Sequence, residues 1–566
     1  EANDTAAGVA LLERVAREHP IVGDYASALR ADALFAAGDR PNAVAAILDA
    51  LAAHPKTPLR ADLQRRLGDA RLAFGDEEAA RSAWKAALAA TRDRALRASL
   101  LFEIASSHDR QGDLAAAYDR YRELWSSHPT SRHARRAEER LDALEAAGVG
   151  TPRTANDWRR RGDELFRAHH NAAALASYDR ALALGLGKAS ERLVRSQRAH
   201  TLFRMRRYPE AVEAFAALPR TAESRLWHAR SLARADRVPE SIEAFEQIAR
   251  EGHGAIGIRS MYFAGLLLDG RDFHERAHAH FEKVARSRSF PELAQGALWR
   301  LAWREYLDGD CGTALPRFER LLELEKDAIV GLQYRYWRAR CLEKLGHPDA
   351  ATEFASMTEE YPFTYYGWRS SFRLSAAARE SATRPGRKLA DGRRTVAGAS
   401  LVRAQILLVW WHAWPVAYAD AVERAVARPG AAGRELVYAI MREESSFRPT
   451  VLSPAGAYGL MQIMPATGER LARDTGRRSF TADDLLVPEI NVELGAHYLG
   501  QLSERFPDRL SAAIASYNAG PGAVSEWIAR APTAPDDEWV EAIPYDETRR
   551  YVKRVLRSLN AYRVLY

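Results

Sequence analysis

The chain is poor in cysteine and in long apolar stretches. Its 566 residues include two cysteines, Cys311 and Cys341, too few for a cysteine-rich zinc site. They lie about one helical hairpin apart, so a disulfide in an oxidising compartment and a pair of buried thiols are both open. No apolar run approaches the ~20 residues that a membrane-spanning helix needs, and we expect none.

The N-terminus has neither the basic region nor the apolar core of an export signal. Either the protein is not exported, or the numbering starts after a signal has been removed. Hydrophobic residues make up 47% and charged residues 28%, which is typical of a folded globular protein rather than a disordered one. A chain of this length is expected to form two or more domains.

The net charge of +7 and the isoelectric point near 9.3 suit an anionic polymer or an acidic surface. An arginine-rich solvated surface explains the same charge without any ligand. The sequence has no interleaved basic and aromatic motif of a nucleic-acid module, so nucleic acid is not an expected partner.

A repeat dominates the region from Thr5 to about Tyr361. A small residue is followed four positions later by a bulky one, and most successive pairs lie 36 or 37 residues apart. This spacing is close to the tetratricopeptide period of about 34 residues. Paired helices of this type bury their apolar faces only against the next hairpin, so these residues are expected in the core. The pairs are Ala43/Ile47, Ala80/Trp84, Ala117/Tyr121, Ala174/Tyr178, Ala211/Phe215, Ser241/Phe245, Ala277/Phe281, Ala314/Phe318 and Ala350/Phe354.

One segment of the array imitates a metal site. His274-Glu275-x-x-His278 matches the zincin pattern, but Ala277 and Phe281 already assign this helix to the scaffold. No third ligand is identifiable, so we predict no metal and no cofactor.

Residues 362–414 are predicted to form a linker region between the array and a third part of the chain. Arg373 to Ser400 is rich in Ala, Ser, Gly and Arg, which favours a mobile or cleavable segment. Trp410, Trp411 and Trp414 follow, and docking of the linker helices is the preferred interpretation over sugar binding.

A carboxylate falls within an apolar helix face near the start of the last part of the chain. On a helical wheel that starts at Leu436, the apolar stripe is centred near about 60° and Glu444 lies at about 80°, whereas Glu443 lies at the margin. A glutamate facing an apolar stripe loses hydration, which raises its pKa and makes it suitable as a general acid. A helix-end carboxylate bound to a backbone or arginine partner is the competing interpretation. Arg442 points away from the stripe and is expected to be a structural ion-pair partner.

Three further segments follow in order. Ser453 to Gly459 is a Gly/Pro-punctuated loop that continues into Gly459-Leu-Met-Gln462-Ile-Met464-Pro465. Next comes a small-residue helix that ends in Ala515-x-Tyr517-Asn518-Ala-Gly520-Pro-Gly522, and then Glu541-x-Ile-Pro-Tyr545 opens the last helix. Together with Arg442-x-Glu444-Ser445-x-Phe447, these segments resemble the catalytic domain of the soluble lytic transglycosylases. The resemblance covers about 130 residues closely and the first 400 only in architecture.

The resemblance implies an all-α chain. It would consist of a tetratricopeptide-like helical superhelix at 1–361, the linker region at 362–414 and a lysozyme-like catalytic domain of goose or SLT type at 415–566. It implies cleavage of the β-1,4 bond between N-acetylmuramic acid and N-acetylglucosamine in peptidoglycan. Water is not consumed, and the products are 1,6-anhydromuramoyl sugars. An exolytic mode and a role in cell-wall remodelling or recycling belong to the same expectation.

The resemblance also implies export to the periplasm, peptidoglycan strands as the partner and only peripheral contact with the cell wall. We expect a monomer, with the helical repeats available to protein partners.

Family resemblance assigns Glu444 as the single acid and base. It protonates the glycosidic oxygen, and its carboxylate then takes the proton from the muramic acid C6 hydroxyl, which closes on C1. The expected substrate-binding residues are Ser453, Tyr458, Gln462, Met464, Tyr517, Asn518 and Glu541. Gln462 and Asn518 can hydrogen-bond sugar groups, and the Tyr517 hydroxyl could orient Glu444 or the acetamido group.

Two other functions remain open. A true muramidase on the same fold would incorporate water and would require a second carboxylate, for which Glu541 is the first candidate. A helical-repeat interaction protein could instead bind wall glycan without cleaving it. An intact Glu444 together with Tyr517 and Asn518 argues against that reading, because a binding module has no need of a desolvated acid.

Overall fold

The structure is a computed structural model, and it describes residues 5–252, 254–374, 412–453, 456–477 and 479–566. Within these ranges the regular secondary structure is helical, apart from isolated β-bridges at Leu452, Tyr458 and Ile463. The predicted all-α fold class is therefore confirmed. Internal contacts divide the chain into two units, residues 1–280 and 281–566.

The first unit is a succession of antiparallel helices, with a short 3-10 helix at Pro20–Val22. Its helices are α1 (Thr5–Glu18), α2 (Gly23–Ala36), α3 (Arg40–Ala53), α4 (Arg60–Ala73), α5 (Glu77–Ala90), α6 (Arg94–Arg110), α7 (Leu114–Ser127), α8 (Ala134–Ala146), α9 (Ala155–Arg167), α10 (Asn171–Ala183), α11 (Lys188–Arg204), α12 (Tyr208–Ala216), α13 (Ala222–Arg234), α14 (Val238–Arg250) and α15 (Gly254–Asp269). Helix α16 (His274–Ala285) spans the division between the units.

Recurring Gly-Asp turns separate the helices of a repeat. Gly38, Gly75, Gly112 and Gly309 adopt φ of 76° to 83°, a left-handed conformation that glycine takes without a Cβ penalty. The aspartate after each glycine caps the next helix, because its carboxylate accepts from the backbone N–H three residues later. The turn sequence thus ends one helix and starts the next.

The small/bulky pairs predicted as core are buried in all nine cases, and none of their members is more than 7% exposed. The close packing is visible at Gly68, where a Cβ would lie 2.4 Å from the Trp84 ring. A Cβ at Gly162 would likewise lie 2.6 Å from the Tyr178 ring. A glycine in one helix therefore makes room for the bulky residue of the next, and the predicted core of the array is confirmed.

The second unit begins with the last repeat helices, α17 (Pro291–Leu307), α18 (Cys311–Leu324), α19 (Ala328–Lys344), α20 (Asp349–Glu360) and α21 (Tyr365–Arg373). Its C-terminal part contains α22 (Ala419–Val426), α23 (Arg434–Ser445), α24 (Pro465–Asp474), a 3-10 helix at Ala482–Leu486, α25 (Pro488–Arg505), α26 (Leu510–Ala519), α27 (Pro521–Arg530), α28 (Asp536–Ala542) and α29 (Asp546–Leu565). Helix α23 packs against α29, and this pairing positions the candidate site.

The boundary between the two compact units, at residue 280, falls inside the predicted helical-repeat array. The domain boundaries predicted at residues 361 and 414 stay predictions. Much of the predicted linker, with Trp410 and Trp411, lies outside the described residues. Trp414 is buried and donates from its indole N–H to Ser558 Oγ at 3.3 Å. Of the helices in the described ranges, none combines the length and the apolar character needed to cross a bilayer.

Two sequence features have structural roles in the repeats. Cys311 and Cys341 are free, buried thiols, so of the two alternatives the structure has the thiol pair. His274 hydrogen-bonds with Asp269, with Nδ1 3.0 Å from Oδ1. Among the described residues, no group of three or more His, Cys, Asp or Glu side chains is arranged to hold a metal ion.

Candidate active site

Glu444 lies in the last turn of α23, a helix in which every residue from Leu436 to Met441 is buried. Ser446 ends the helix with φ of 50°, and Phe447 follows with φ of 61°. Two consecutive non-glycine residues in the left-handed region are uncommon, and such strained positions concentrate at functional sites. The chain therefore turns sharply directly after the carboxylate.

The Glu444 side chain is held from α29. Tyr551, only 3% exposed, donates its hydroxyl to Glu444 Oε1 at 2.6 Å. Burial raises the pKa of Glu444 to about 7, an effect that the Tyr551 hydrogen bond and the charge of Arg554 partly oppose. A carboxyl group with this pKa can donate a proton near neutral pH and take one back afterwards. The raised pKa predicted from the helical wheel is confirmed.

Glu443, the neighbouring carboxylate, has a different environment. Although it is also buried, Ser558 and three arginines hold its pKa below the ordinary value. One of these, Arg442, also donates to the Ala413 carbonyl and stacks over Trp414, which confirms its predicted structural role. The environment thus drives the pKa values of two adjacent glutamates apart, and only Glu444 is suited to be an acid.

The loop after α23 is closed by short-range hydrogen bonds. The Ser453 N–H donates to the Ala457 carbonyl at 2.9 Å, and the Ser453 hydroxyl accepts from the Ala457 N–H at 2.9 Å. Tyr458 pairs with both Leu452 and Ile463 in isolated antiparallel bridges. Ser453 and Tyr458 are half-buried, and as substrate contacts they stay predictions.

Gln462 has a structural task in this loop. Its φ is 49°, and its side-chain amide donates to the carbonyls of Val451 at 3.1 Å and Gly459 at 2.8 Å. These bonds tie the two ends of the loop together. The amide N–H groups expected to bind sugar therefore have backbone partners. Met464 follows with 44% exposure and is available at the surface.

Gly459 is required by the packing around it. Its φ is 76°, and a Cβ there would lie 2.1 Å from the Leu485 carbonyl oxygen. Beside it, the buried Asn491 amide donates to the carbonyls of Tyr458 and Leu485 and accepts from the Met461 N–H. This side chain fixes the loop to α25.

Tyr517 and Asn518, at the end of α26, are held in different ways. The Tyr517 hydroxyl donates to the Met461 carbonyl at 2.8 Å, so Tyr551 rather than Tyr517 is the hydrogen-bond partner of Glu444. Tyr517 nevertheless lies close enough for the charge of Glu444 to raise its pKa further, beyond the larger effect of burial. Asn518 is exposed, and its Oδ1 accepts from the Thr548 hydroxyl at 2.7 Å.

Glu541 requires a correction, because it is buried and 5% exposed rather than open to a ligand. Its carboxylate forms an ion pair with Lys553 and accepts from Tyr366 at 2.6 Å, Trp337 at 3.1 Å and Gln333 at 2.8 Å. Burial alone would raise its pKa, yet Lys553 and the other partners hold the pKa below the ordinary value. This residue ties α28 and α29 to α19 and α21, which excludes the predicted substrate contact.

Sequence reasoning did not assign roles to Tyr551, Asn491 or Thr548. Tyr551 lies within the segment that opens the last helix, but it is 107 residues from Glu444 and no local period connects the two. The available signal for Asn491 was an amide between two apolar residues, Ile490 and Val492, and a buried amide is expected to be hydrogen-bonded.

The chain thus combines a helical-repeat array with a helical C-terminal region in which Glu444 is held by Tyr551. Residues 424–540 match the family model described as transglycosylase SLT domain. Residues 28–92, 99–131 and 196–256 match tetratricopeptide repeat models. The suspected family resemblance is thereby confirmed for both parts of the chain.

Curated relatives of the chain include two lytic murein transglycosylases. The soluble lytic murein transglycosylase of Escherichia coli (strain K12) is 38% identical over 157 residues, which are 26% of this chain and 24% of the relative. The membrane-bound lytic murein transglycosylase C of Salmonella arizonae is 31% identical over 163 residues, 25% of this chain and 45% of the relative. The sequence match thus spans about a quarter to a half of these relatives' length.

Two solved structures resemble the chain along almost its whole length. The 70-kDa soluble lytic transglycosylase from Escherichia coli has a TM-score of 0.54 at 18% identity, covering 100% of this chain and 97% of that one. The lytic transglycosylase Slt from Pseudomonas aeruginosa has a TM-score of 0.52 at 22% identity, covering 99% and 97%. At these identities the likeness shows the fold.

Proposed function

We propose that this protein is a lytic transglycosylase that cleaves the β-1,4 bond between N-acetylmuramic acid and N-acetylglucosamine in peptidoglycan. The single observation that carries the proposal is Glu444, a desolvated carboxyl with a pKa of about 7 held by Tyr551 in an SLT-type domain. An exolytic mode, a periplasmic location and a role in wall remodelling or recycling belong to the proposal. A monomeric state and protein partners on the repeats stay predictions.

In the first step, protonated Glu444 gives its proton to the glycosidic oxygen as the bond to C1 breaks. Charge then develops at C1 of the muramic acid, where the substrate's own acetamido carbonyl stabilises it. In the second step, the Glu444 carboxylate takes the proton from the C6 hydroxyl while that oxygen bonds to C1. Glu444 is then protonated again, as at the start of the reaction, and the product is a 1,6-anhydro sugar. A pKa near neutrality suits both steps, because neither form of Glu444 is strongly favoured.

The surroundings of Glu443 and Glu541 support a lyase over a muramidase. A hydrolase of this kind needs a second carboxylate near C1 to activate water or to act as a nucleophile. Glu541, the first candidate, is buried with Lys553, and Glu443 is surrounded by arginines. The carboxylate oxygens of both residues contact protein groups, so neither is placed to hold a water molecule over the sugar.

Mass spectrometry of the muropeptides released from purified peptidoglycan tests the proposal. We expect products lighter than the hydrolytic ones by one water, with no label incorporated when the digestion is run in isotope-labelled water. Glu444→Gln should release no products and still sediment with peptidoglycan. A matched control, Glu435→Gln, removes the same charge from the first turn of the same helix and should retain activity.

Labelled reducing ends would make the protein a muramidase. Binding without products from the wild-type chain would favour the glycan-binding scaffold. The length distribution of the early products tests the mode, because an exolytic enzyme releases disaccharide units while the remaining strands stay long.

A further inference from the structure

Glu443, the residue before the proposed acid, lies in a cluster of positive charges. The proposed chemistry assigns no role to this cluster. Its carboxylate oxygens lie 3.1 Å from Arg442 Nη1, 3.1 Å from Arg554 Nε and 3.2 Å from Arg557 Nη2. The Ser558 hydroxyl donates to it at 2.7 Å. The Glu443 side chain is 6% exposed, whereas those of Arg554 and Arg557 are 46% and 34% exposed.

This cluster adjoins the proposed acid through both helices. Glu443 and Glu444 are consecutive on α23, and their partners Arg554 and Tyr551 lie three residues apart on α29. Residues at this spacing occupy the same face of a helix, so the two glutamates contact one surface of α29. Arg554 therefore interacts with both carboxylates. It donates a hydrogen bond to Glu443, and its positive charge lowers the pKa of Glu444.

We propose that Glu443 is a positioning residue, which holds the guanidinium groups of Arg554 and Arg557 in an ion-pair cluster and thereby sets the charge that Glu444 faces. The inference rests on the proposed role of Glu444. Beyond that role, Glu443 neutralises part of the positive charge of the arginine cluster directly beside the proposed acid.

Glu443 is affected by Ser558, Arg557 and Arg554 from α29 and by Arg442 from its own helix. Glu444 is affected by Tyr551 and Arg554 from α29 and by Glu443 from its own helix, and it lies near Tyr517 of α26. Burial raises the pKa of Glu444 most, Arg554 lowers it and Glu443 raises it. Loss of the Glu443 charge removes the negative neighbour and leaves Arg554 uncompensated, and both changes favour the charged form of Glu444.

Glu443→Gln tests this inference through the pH profile of kcat/KM on purified peptidoglycan. Because Glu444 must be protonated to act as the acid, activity falls as the pH rises through its pKa. We expect Glu443→Gln to move this basic limb to lower pH by about one unit, the lower end of what one nearby charge produces. Activity should fall by about tenfold at pH 8.5 and by no more than about twofold at pH 5.5, since one unit is a factor of ten.

Arg554→Gln is the companion variant, and its exposed side chain makes it tolerant of change. It removes the positive neighbour, so the basic limb should move to higher pH, opposite to the effect of Glu443→Gln. Glu435→Gln should leave the limb in place, because this charge lies about 12 Å along the helix axis from Glu443. A merely structural role of Glu443 would lower activity equally at all pH values.

An unmoved limb in Arg554→Gln would overturn the inference even if Glu443→Gln does not fold. An equal loss of activity at both pH values in a folded Glu443→Gln would also overturn it. Failure of the proposed function has a separate signature in the wild-type chain, which would then give labelled reducing ends or release no products.

Discussion

Replacing Tyr551 with phenylalanine removes the hydroxyl that donates to Glu444 at 2.6 Å and keeps the buried ring in place. A hydrogen bond to a charged group contributes about 1.5–3 kcal/mol, and 1.36 kcal/mol corresponds to one pKa unit. The bond stabilises the carboxylate form of Glu444, so its loss should raise the pKa. From about 7 in the wild type, the pKa should rise by about one to two units.

The assay is the pH dependence of kcat/KM for the release of soluble muropeptides, followed between about pH 5 and 10. We expect the basic limb of Tyr551→Phe to move to higher pH. The rate on the acidic plateau should fall, because a more basic carboxylate donates its proton less readily. Tyr545→Phe is the matched control, since it removes an exposed hydroxyl at the start of the same helix.

A basic limb at an unchanged or lower pH in a folded Tyr551→Phe would refute this reasoning. It would mean either that the hydroxyl does not stabilise the Glu444 carboxylate or that the limb belongs to another group. Circular dichroism of the variant separates these outcomes from a loss of fold.

Three further predictions concern stability. Gly459→Ala should lower the free energy of unfolding by more than about 2 kcal/mol, because left-handed φ alone costs 1–2 kcal/mol and the Cβ also meets a carbonyl oxygen. Lys553→Met should cost about 3–5 kcal/mol, because it leaves the buried Glu541 carboxylate without its ion-pair partner. Glu444→Gln should be more stable than the wild type at pH 8 by about 3 kcal/mol and about equal to it at pH 4. The sign follows from the raised pKa of Glu444. The wild type is fully stable below pH 4.5, where Glu444 is neutral in both the folded and the unfolded state. It loses stability as the pH rises from 4.5 to about 7, because the unfolded chain then ionises more readily than the folded one.

Chemical denaturation measures all three, and each has a control. Gly476→Ala has the same positive φ with nothing within 4 Å of the Cβ, so its difference from Gly459→Ala isolates the clash. Equal losses would refute the packing argument at Gly459. Lys553→Met combined with Glu541→Gln should recover stability, and a larger loss in the double variant would contradict the ion-pair argument. A stability difference between Glu444→Gln and the wild type that does not change with pH would contradict the linkage.

The local pattern of the sequence predicted the helices, the repeats and the proposed acid. The small/bulky pairs recur at a fixed spacing because every hairpin must bury the same face, so their burial followed from the period alone. The helical wheel placed Glu444 within the apolar stripe because position on a helix fixes which side chains share its face, and the family resemblance then assigned it as the acid. The same argument gave Arg442 its structural role.

The partners of these residues depend on the tertiary structure. Tyr551 reaches Glu444 across 107 residues, and Tyr366 reaches Glu541 across 175, distances that no local period encodes. Glu541 was predicted to bind substrate because the sequence motif does not show whether a carboxylate is exposed or buried. Only the packing of α28 and α29 against α19 and α21 decides that Lys553 pairs with it.

The sequence by itself thus determined the architecture of the array and the position of Glu444 on the inner side of its helix. The tertiary structure decided that Glu444 has a tyrosine partner and a pKa near 7, while Glu443 beside it has three arginines and a lowered pKa. The physical reason is that periodicity determines which face a side chain occupies, whereas ionisation depends on the groups that the opposite helix brings to that face.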